Sequence, residues 1–454
     1  MGAGKAFCPQ VERRRAIKIF ISVHHYPPNY TGGAELRAHR TARALQQRGH
    51  TLQAFAIEKV DEGPTQGIGW QDEEYEGVPL RRIRFRAEAA PDRLAFTYNN
   101  PWIGDHLREF LAQVKPDVFH LFGGYLQSGS AIHAAADLNI PVVVSLTDYW
   151  FLCHQIQLIR LDGHMCTYPS QQVVCTQCFV EDKRRNRWPE QLFPGLMRYY
   201  WQLDKNQAQR FMQRREYLLE ALNRADAIIA PSRFLGNVHI QWGVDPGKII
   251  HARQGRSFPG LTADGLVKQP ADHLRIGYIG QLTEIKGVHV LLQAVRQLPD
   301  ARLSLQLYGD ATKFPSYVKR LRRIAGHDPR IQFETPFRQG QLTQVFQELD
   351  VLVVPSLWYE NSPNVILEAF GLRTPVIASE LGGMAELVQH ERNGLLFQAG
   401  DPHSLAEQLQ RILDDPALLP SLAAQIEPVK SLDQEIDELD GIYRRLVNSK
   451  TLIT

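Results

Sequence analysis

Residues 355–371 read PSLWYENSPNVILEAFG. An apolar run at 351–354 stops at Pro355, a polar loop follows, and apolar residues then recur at helical spacing between 364 and 370. Ser362 reads as the helix N-cap and Pro363 as its first residue: a short side-chain oxygen satisfies a free N–H there, and proline has no N–H to leave unpaired. The unit is therefore strand, loop, helix. A helix begun this way turns free N–H groups and the positive end of its dipole toward the loop, where an anion binds. Two carboxylates flank that position, Glu360 in the loop and Glu368 in the second helical turn, with seven residues between them. Both are placed to accept hydrogen bonds from hydroxyl groups.

The sequence continues GLRTPVIASELGGMAELVQHERNGLLF over 371–397. The two glutamates at this spacing, with TPVIAS, Gly382 and Gly383, Glu386, Asn393 and Gly394, closely resemble the second half of retaining glycosyltransferases of family 4 (glycosyl transferases group 1). The resemblance implies an α/β fold of the GT-B type, two Rossmann-like domains facing each other across a cleft. It also implies a nucleotide-diphosphate sugar as donor, a phosphate at the helix end with hydroxyls to either side. By resemblance Glu360 holds a sugar hydroxyl and Glu368 the ribose hydroxyls, while Asn361 and Ser362 lie on the donor.

Bulk properties agree with a two-domain enzyme. A chain of 454 residues exceeds one comfortable core. With 22% charged residues and a formal net charge of +2, no global field argues for nucleic acid. No apolar run approaches the ~20 residues needed to cross a bilayer. The run 17–23 after Arg13–Arg15 is short and leads into two histidines, so it reads as a first strand, not a signal peptide. Five cysteines without a secretion signal make a reducing cytoplasm the expected compartment.

Toward the N-terminus, strand 17–23 is followed by PPNYTGGAE and a helical pattern from about 34 to 48. Gly32 and Gly33 at a strand-to-helix turn let a ligand approach the backbone, and the helix end again favours an anion. The GGAE signature resembles the family's N-terminal loop, which implies donor contacts at Gly32 and Gly33 and an acceptor-side role for Glu35. Strands at 51–57 and 80–85 are separated by a polar, Gly-rich loop, and strand–helix alternation continues to 146, the pattern of a parallel sheet with ligands at its C-terminal strand ends. Thr147 and Asp148 stand at such an end. The family usually has His-Asp here, the His contacting the transferred sugar; Thr147 departs from that pattern and Asp148 keeps it. His154, or the pair His24 and His25, are the alternatives for the missing contact.

Cys153, Cys166, Cys175 and Cys178 fall within one loop-rich segment, the last two as CxxC. Thiolates so spaced suit a structural zinc; an iron–sulfur cluster, buried thiols and a redox pair stay open as alternatives. Residues 182–216 carry nine Lys and Arg against four acidic residues, interleaved with aromatics. Such a mixture docks on an anionic membrane face or grips a polymeric acceptor, and it equally describes a solvated helix.

The second half opens with a strand at 274–279 and the loop GQLTEIKG. Lys286 precedes a helix, where its ammonium meets a diphosphate; the family resemblance supports that role. Gln281 stands where the family commonly has Arg. The expected organisation is an N-terminal domain over 1–255 with an insertion at about 150–225, a donor domain over 256–430, and a helix over 431–454 crossing back to the first domain. Glu360, Asp148 and Lys286 form the expected catalytic set, with no metal required for catalysis. The acceptor is a glycan, a lipid-linked glycan or a polysaccharide, and a location peripheral to the inner membrane face is consistent with the basic segment. A non-catalytic sugar-nucleotide-binding scaffold, motivated by Thr147 and Gln281, and an epimerase on the same fold are the competing functions.

Overall fold

The computed structural model describes residues 15–160, 163–166, 172–181, 192–203, 205–258, 266, 268–269 and 271–451. Two twisted sheets organise them. The first runs β3-β4-β2-β1-β5-β6-β7-β8, from β1 (Lys18–Val23), β2 (Thr51–Lys59), β3 (Gly69–Tyr75), β4 (Val78–Arg84), β5 (Val118–Phe122), β6 (Val142–Ser145), β7 (Ala227–Ala230) and β8 (Ile249–His251). The second runs β11-β10-β9-β12-β13-β14, from β9 (Leu274–Ile279), β10 (Leu303–Tyr308), β11 (Ile331–Glu334), β12 (Val351–Val354), β13 (Val376–Ser379) and β14 (Gly394–Phe397). Every pairing in the second sheet is parallel, and in the first only β3–β4 is antiparallel.

The central strands show why these residues form parallel sheets. In β5, β6, β7 and β12 every side chain is buried, the mark of strands covered by helices on both faces. In the first sheet the chain order reverses between β1 and β5, and in the second between β9 and β12. A crevice opens at the strand ends where order reverses, and ligands of such sheets bind there. The loops after β1, β9 and β12 are those in which the sequence reading found its site residues.

Two local expectations are corrected. The segment between the second and third expected strands is not a loop: β3 pairs with β4 as a hairpin, turned by Glu76 and Gly77, both at positive φ. Its interior side chains, Trp70 to Glu74, are all exposed and three of the five are acidic, as suits an edge strand, so no apolar alternation marks it in sequence. The second correction concerns Ser362. The helix runs Asn364–Gly371 with Pro363 at the N-cap position in extended conformation, and no side chain caps it. Ser362 Oγ is buried without a hydrogen-bond partner.

The helix Leu432–Thr451 lies against the first sheet, with Ile436, Leu439, Ile442 and Tyr443 packed into the cluster that holds Ile19, Ile21 and Leu45. The Tyr443 hydroxyl lies 2.6 Å from His120 Nδ1, whose Nε2 is 2.9 Å from Ser145 Oγ. Arg37 donates to Glu435 at 2.8 Å with both side chains buried, so the end of the chain is tied to the helix that follows the Gly-Gly turn.

Candidate active site in the interdomain cleft

A cleft of about 550 Å³ lies between the two sheets, lined from one side by His24, Gly33, Glu35, Thr147 and Asp148. From the other come Gln281, Lys286, Glu360, Asn361 and Ser362. Residues up to 341 apart in the chain, from His24 to Val365, thus share one cavity. Gly280 and Gln281 also line an adjoining pocket of about 350 Å³, walled by Tyr308, Phe337 and Glu368. Glu368 thus sits next to the cleft, beside an aromatic-walled recess.

The second-sheet side is built by close backbone approach. Gly287 has φ +67°, and a Cβ there would collide with the Pro355 carbonyl oxygen. This contact brings Lys286 to the loop after β12. A Cβ on Gly383 would overlap the Asn361 carbonyl, and Gly383 N–H donates to Glu360 O at 2.8 Å. The Gly-Gly turn is therefore a platform under the Glu360 loop. Within that loop Glu360 Oε1 accepts from Ser356 Oγ and Trp358 Nε1, each at 2.9 Å, and from Lys286 Nζ. Lys286 Nζ also lies 5.5 Å from the Trp358 ring centre. The two residues assigned from resemblance to separate parts of a donor are here an ion pair.

On the first-sheet side, Gly32 occupies the N-cap position of the helix Gly33–Gln47. Glu35, in its first turn, meets His24 Nε2 at 3.2 Å. Burial opposes ionisation of Glu35, but the His24 hydrogen bond and charge outweigh it and hold the carboxyl below its ordinary range. Asp148 behaves oppositely. Burial pushes its carboxyl up, although Trp150 N–H at 2.8 Å and Thr147 Oγ at 3.1 Å donate to it. His154 is not among the cleft-lining residues; it packs 5.5 Å from the Phe211 ring, and burial lowers its imidazole to about 3. Of the alternatives for the family histidine, His24 is the one that lines the cleft.

Contacts join the two sides. Asn361 Nδ2 donates to the Thr147 carbonyl, and Arg256 pairs with Asn364. The Glu386 carboxylate accepts from the backbone N–H of Arg233 at 2.8 Å and from that of Phe234, capping the helix Arg233–Trp242 from the opposite half. With the halves so joined, four buried polar atoms of cleft-lining residues are left without partners: His24 Nδ1, Arg37 Nη1, Asn361 Oδ1 and Ser362 Oγ. Unpaired buried polar atoms cost about 1–3 kcal/mol each, and four at one cavity mark where a polar ligand supplies the missing bonds.

Arg37 was not found by sequence reasoning, although its position was legible: it follows Glu35 in the first turns of the helix after the Gly-Gly turn. Tyr308 and Phe337 were missed too. Their only signal is lying at or just past the C-terminal ends of β10 and β11.

The zinc expectation rests on the cysteine spacing alone. Cys175 and Cys178 share the helix Gln172–Glu181, residues 167–171 lie outside the described structure, and among the described residues no group of three His, Cys, Asp or Glu is disposed to hold a metal ion. No helix among the described residues is long and apolar enough to cross a membrane.

Comparison with known proteins follows the same division of the chain. Residues 32–252 match the glycosyl transferase 4-like domain and residues 273–415 match glycosyl transferases group 1. A D-inositol 3-phosphate glycosyltransferase of Corynebacterium urealyticum is 32% identical over 182 residues, 38% of this chain and 43% of that protein. An uncharacterized glycosyltransferase of Methanocaldococcus jannaschii is 29% identical over 144 residues, 32% of this chain and 37% of that one. The chain thus spans less than half the length of these curated relatives. Among solved structures, sucrose-phosphate synthase of Thermosynechococcus elongatus superposes with a TM-score of 0.63 at 20% identity, covering 95% of this chain and all of that one (100%). Anabaena HepE in complex with UDP gives 0.65 at 16% identity, covering 94% and 100%. Two Rossmann-like sheets, the cleft between them and a family match on each half lead to one assignment: the chain belongs to the group 1 glycosyltransferases of family 4, with the GT-B fold.

Proposed function

We propose that the chain moves a sugar from a nucleoside-diphosphate sugar to a hydroxyl of a glycan, lipid-linked or polysaccharide acceptor, with retention of anomeric configuration. The observation that carries this reading is the convergence of one ammonium, two helix N-termini and four unpartnered buried polar atoms on a single cleft, next to an aromatic-walled recess. In this reading the base and ribose occupy the recess, the ribose hydroxyls on Glu368. The diphosphate lies between Gly33 and the start of the helix Asn364–Gly371, with Lys286 and Arg37 as counter-charges. The sugar then lies toward Asp148, His24 and Glu360.

As the bond from the anomeric carbon to the phosphate oxygen breaks, negative charge grows on the diphosphate. Lys286 and the free N–H groups are already oriented to meet it, so little reorganisation is needed in the transition state. The acceptor oxygen bonds the same face of the anomeric carbon, and its proton passes to the departing phosphate oxygen. Lys286 turns from Glu360 to the diphosphate when donor binds. Glu360 keeps Ser356 and Trp358 as donors to Oε1 and offers its other oxygen to a sugar hydroxyl. No metal takes part in these steps, and zinc at the cysteines is proposed as structural.

Nucleotide release tests the reading. The protein is incubated with UDP-, GDP- and ADP-glucose and other nucleotide sugars, and free nucleotide and sugar are quantified. Slow release from one donor, lost in Lys286→Ala, is expected, undiminished by chelators. Binding without release would favour the scaffold reading, and a changed sugar on intact nucleotide would favour an epimerase. The acceptor is then sought with the active donor; the relatives named for inositol phosphate make that compound one probe among the glycans and lipid-linked glycans.

A further inference from the structure

The insertion that leaves the first sheet after β6 starts at the cleft, where it contributes Asp148 and Gln157. It later forms the helix Pro194–Leu203, which packs against the helices Gln172–Glu181 and Lys205–Arg224. Large apolar side chains on its other side are exposed. Leu192, Phe193, Leu196, Tyr199 and Tyr200 are 60%, 60%, 66%, 60% and 55% exposed, and they are five of the nine large apolar side chains that are exposed among the described residues. Phe193, Leu196, Tyr199 and Tyr200 stand three and four residues apart, so they share one side of the helix. Elsewhere the exposed apolar side chains are scattered singly, which needs no explanation. A stripe of this kind marks an interaction surface.

Charge identifies the occupant. Residues 182–216, which carry this helix, hold nine Lys and Arg against four acidic residues, an excess of five, whereas the whole chain has a net charge of only +2. The rest of the chain is therefore net negative, and the stretch of sequence that carries this helix is basic. A helix with leucine and aromatic side chains on one face, in a basic segment, has the chemistry that lies in the interface of an anionic bilayer. Tyrosines suit that level, rings among acyl chains and hydroxyls among headgroups. A second copy of the chain would bring two basic segments together, and charge disfavours it.

We infer that the exposed face of the helix Pro194–Leu203 docks on an anionic phospholipid surface and holds the cleft beside it. This deepens the acceptor side of the proposed function and rests on it for its purpose: an acceptor carried on a lipid would be met at the bilayer by the insertion that also supplies Asp148.

Flotation of the full chain with vesicles tests it. Vesicles of about one part phosphatidylglycerol to two parts phosphatidylcholine should carry the protein at low salt, and phosphatidylcholine alone should not. Raising the salt should release it. The Phe193→Asp, Leu196→Asp double variant should lower partitioning by on the order of tenfold or more. The gentler Leu196→Ser should lower it less, with circular dichroism and nucleotide affinity unchanged in both. Equal flotation of wild type and double variant would overturn the inference. So would a solution dimer that the double variant splits, combined with no vesicle binding. A protein that floats as expected but binds no nucleotide would leave this inference standing and remove the donor reading instead.

Discussion

The two walls of the cleft are built differently. The second-sheet wall is backbone against backbone: Gly287 beneath Pro355 and Gly383 beneath Asn361 leave no room for a side chain. The first-sheet wall is side chain against side chain, with His24 on Glu35 and Thr147 on Asp148. A wall set by backbone contact permits few residue types at few spacings, so its motifs survive in readable form. A wall set by side chains accepts exchanges, and there Thr147 replaces the family histidine.

Substituting a glycine on each wall should separate them most strongly. Gly287→Ala meets a backbone oxygen at a positive φ and should destabilise the second half by about 2–3 kcal/mol or more, seen as a lower melting temperature and lost nucleotide binding. Gly33→Ala has ordinary space, its Cβ 3.6 Å from Asn364 Nδ2. It should leave the melting temperature within about 2 °C of wild type while weakening donor binding, because Gly33 faces the cleft. Equal melting temperatures for the two variants would break the comparison.

Asp148→Asn sharpens the first-sheet side. Burial raises the Asp148 pKa in the folded protein above its unfolded value of 3.8. Between those values the native state binds more protons than the unfolded state, so stability falls as pH rises through the raised pKa. Above the raised pKa the buried carboxylate is a burden, and Asp148→Asn should melt higher than wild type at neutral pH. The gap should close as the pH is lowered toward the ordinary aspartate range, and turnover should drop. A variant that melts lower at neutral pH would show that the hydrogen bonds from Trp150 and Thr147 outweigh desolvation.

The smallest effect concerns the contacts between walls. Glu386→Ala removes the acceptor of the Arg233 and Phe234 N–H groups, leaves the Ser232 cap of the helix Arg233–Trp242 in place, and should cost about 1 kcal/mol. Its signature is a weaker dependence of melting temperature on added nucleotide, since the two halves are then less tightly joined.

The same contrast explains what could be read in the sequence. Lys286, Glu360, Asn361 and the Gly32–Gly33 turn were legible because each follows a strand bordering a switch point, and the Gly382–Gly383 turn because it follows β13, the next strand along. Strand β3 was not, because its burial alternation is replaced by exposed acidic residues at a sheet edge. Ser362 misled: at a helix start a buried serine is either a cap or a ligand group, and residue type does not distinguish them. Arg37 and the pairing of Lys286 with Glu360 needed the packed structure, since both depend on partners 398 and 74 residues away. His154 lay near the right strand end in sequence, but the turn after Trp150 carries it into the insertion against Phe211.

Titration calorimetry with UDP, GDP and ADP, on wild type, Lys286→Ala and Glu368→Ala, is the most direct test that the cleft is a donor site. One nucleotide should bind wild type. Lys286→Ala should weaken it by roughly tenfold to a hundredfold, the range of a lost charge-assisted bond, and Glu368→Ala by about tenfold. Binding of none of the three, or affinities unchanged in both variants, would contradict the assignment of the diphosphate to Lys286 and of the ribose to Glu368.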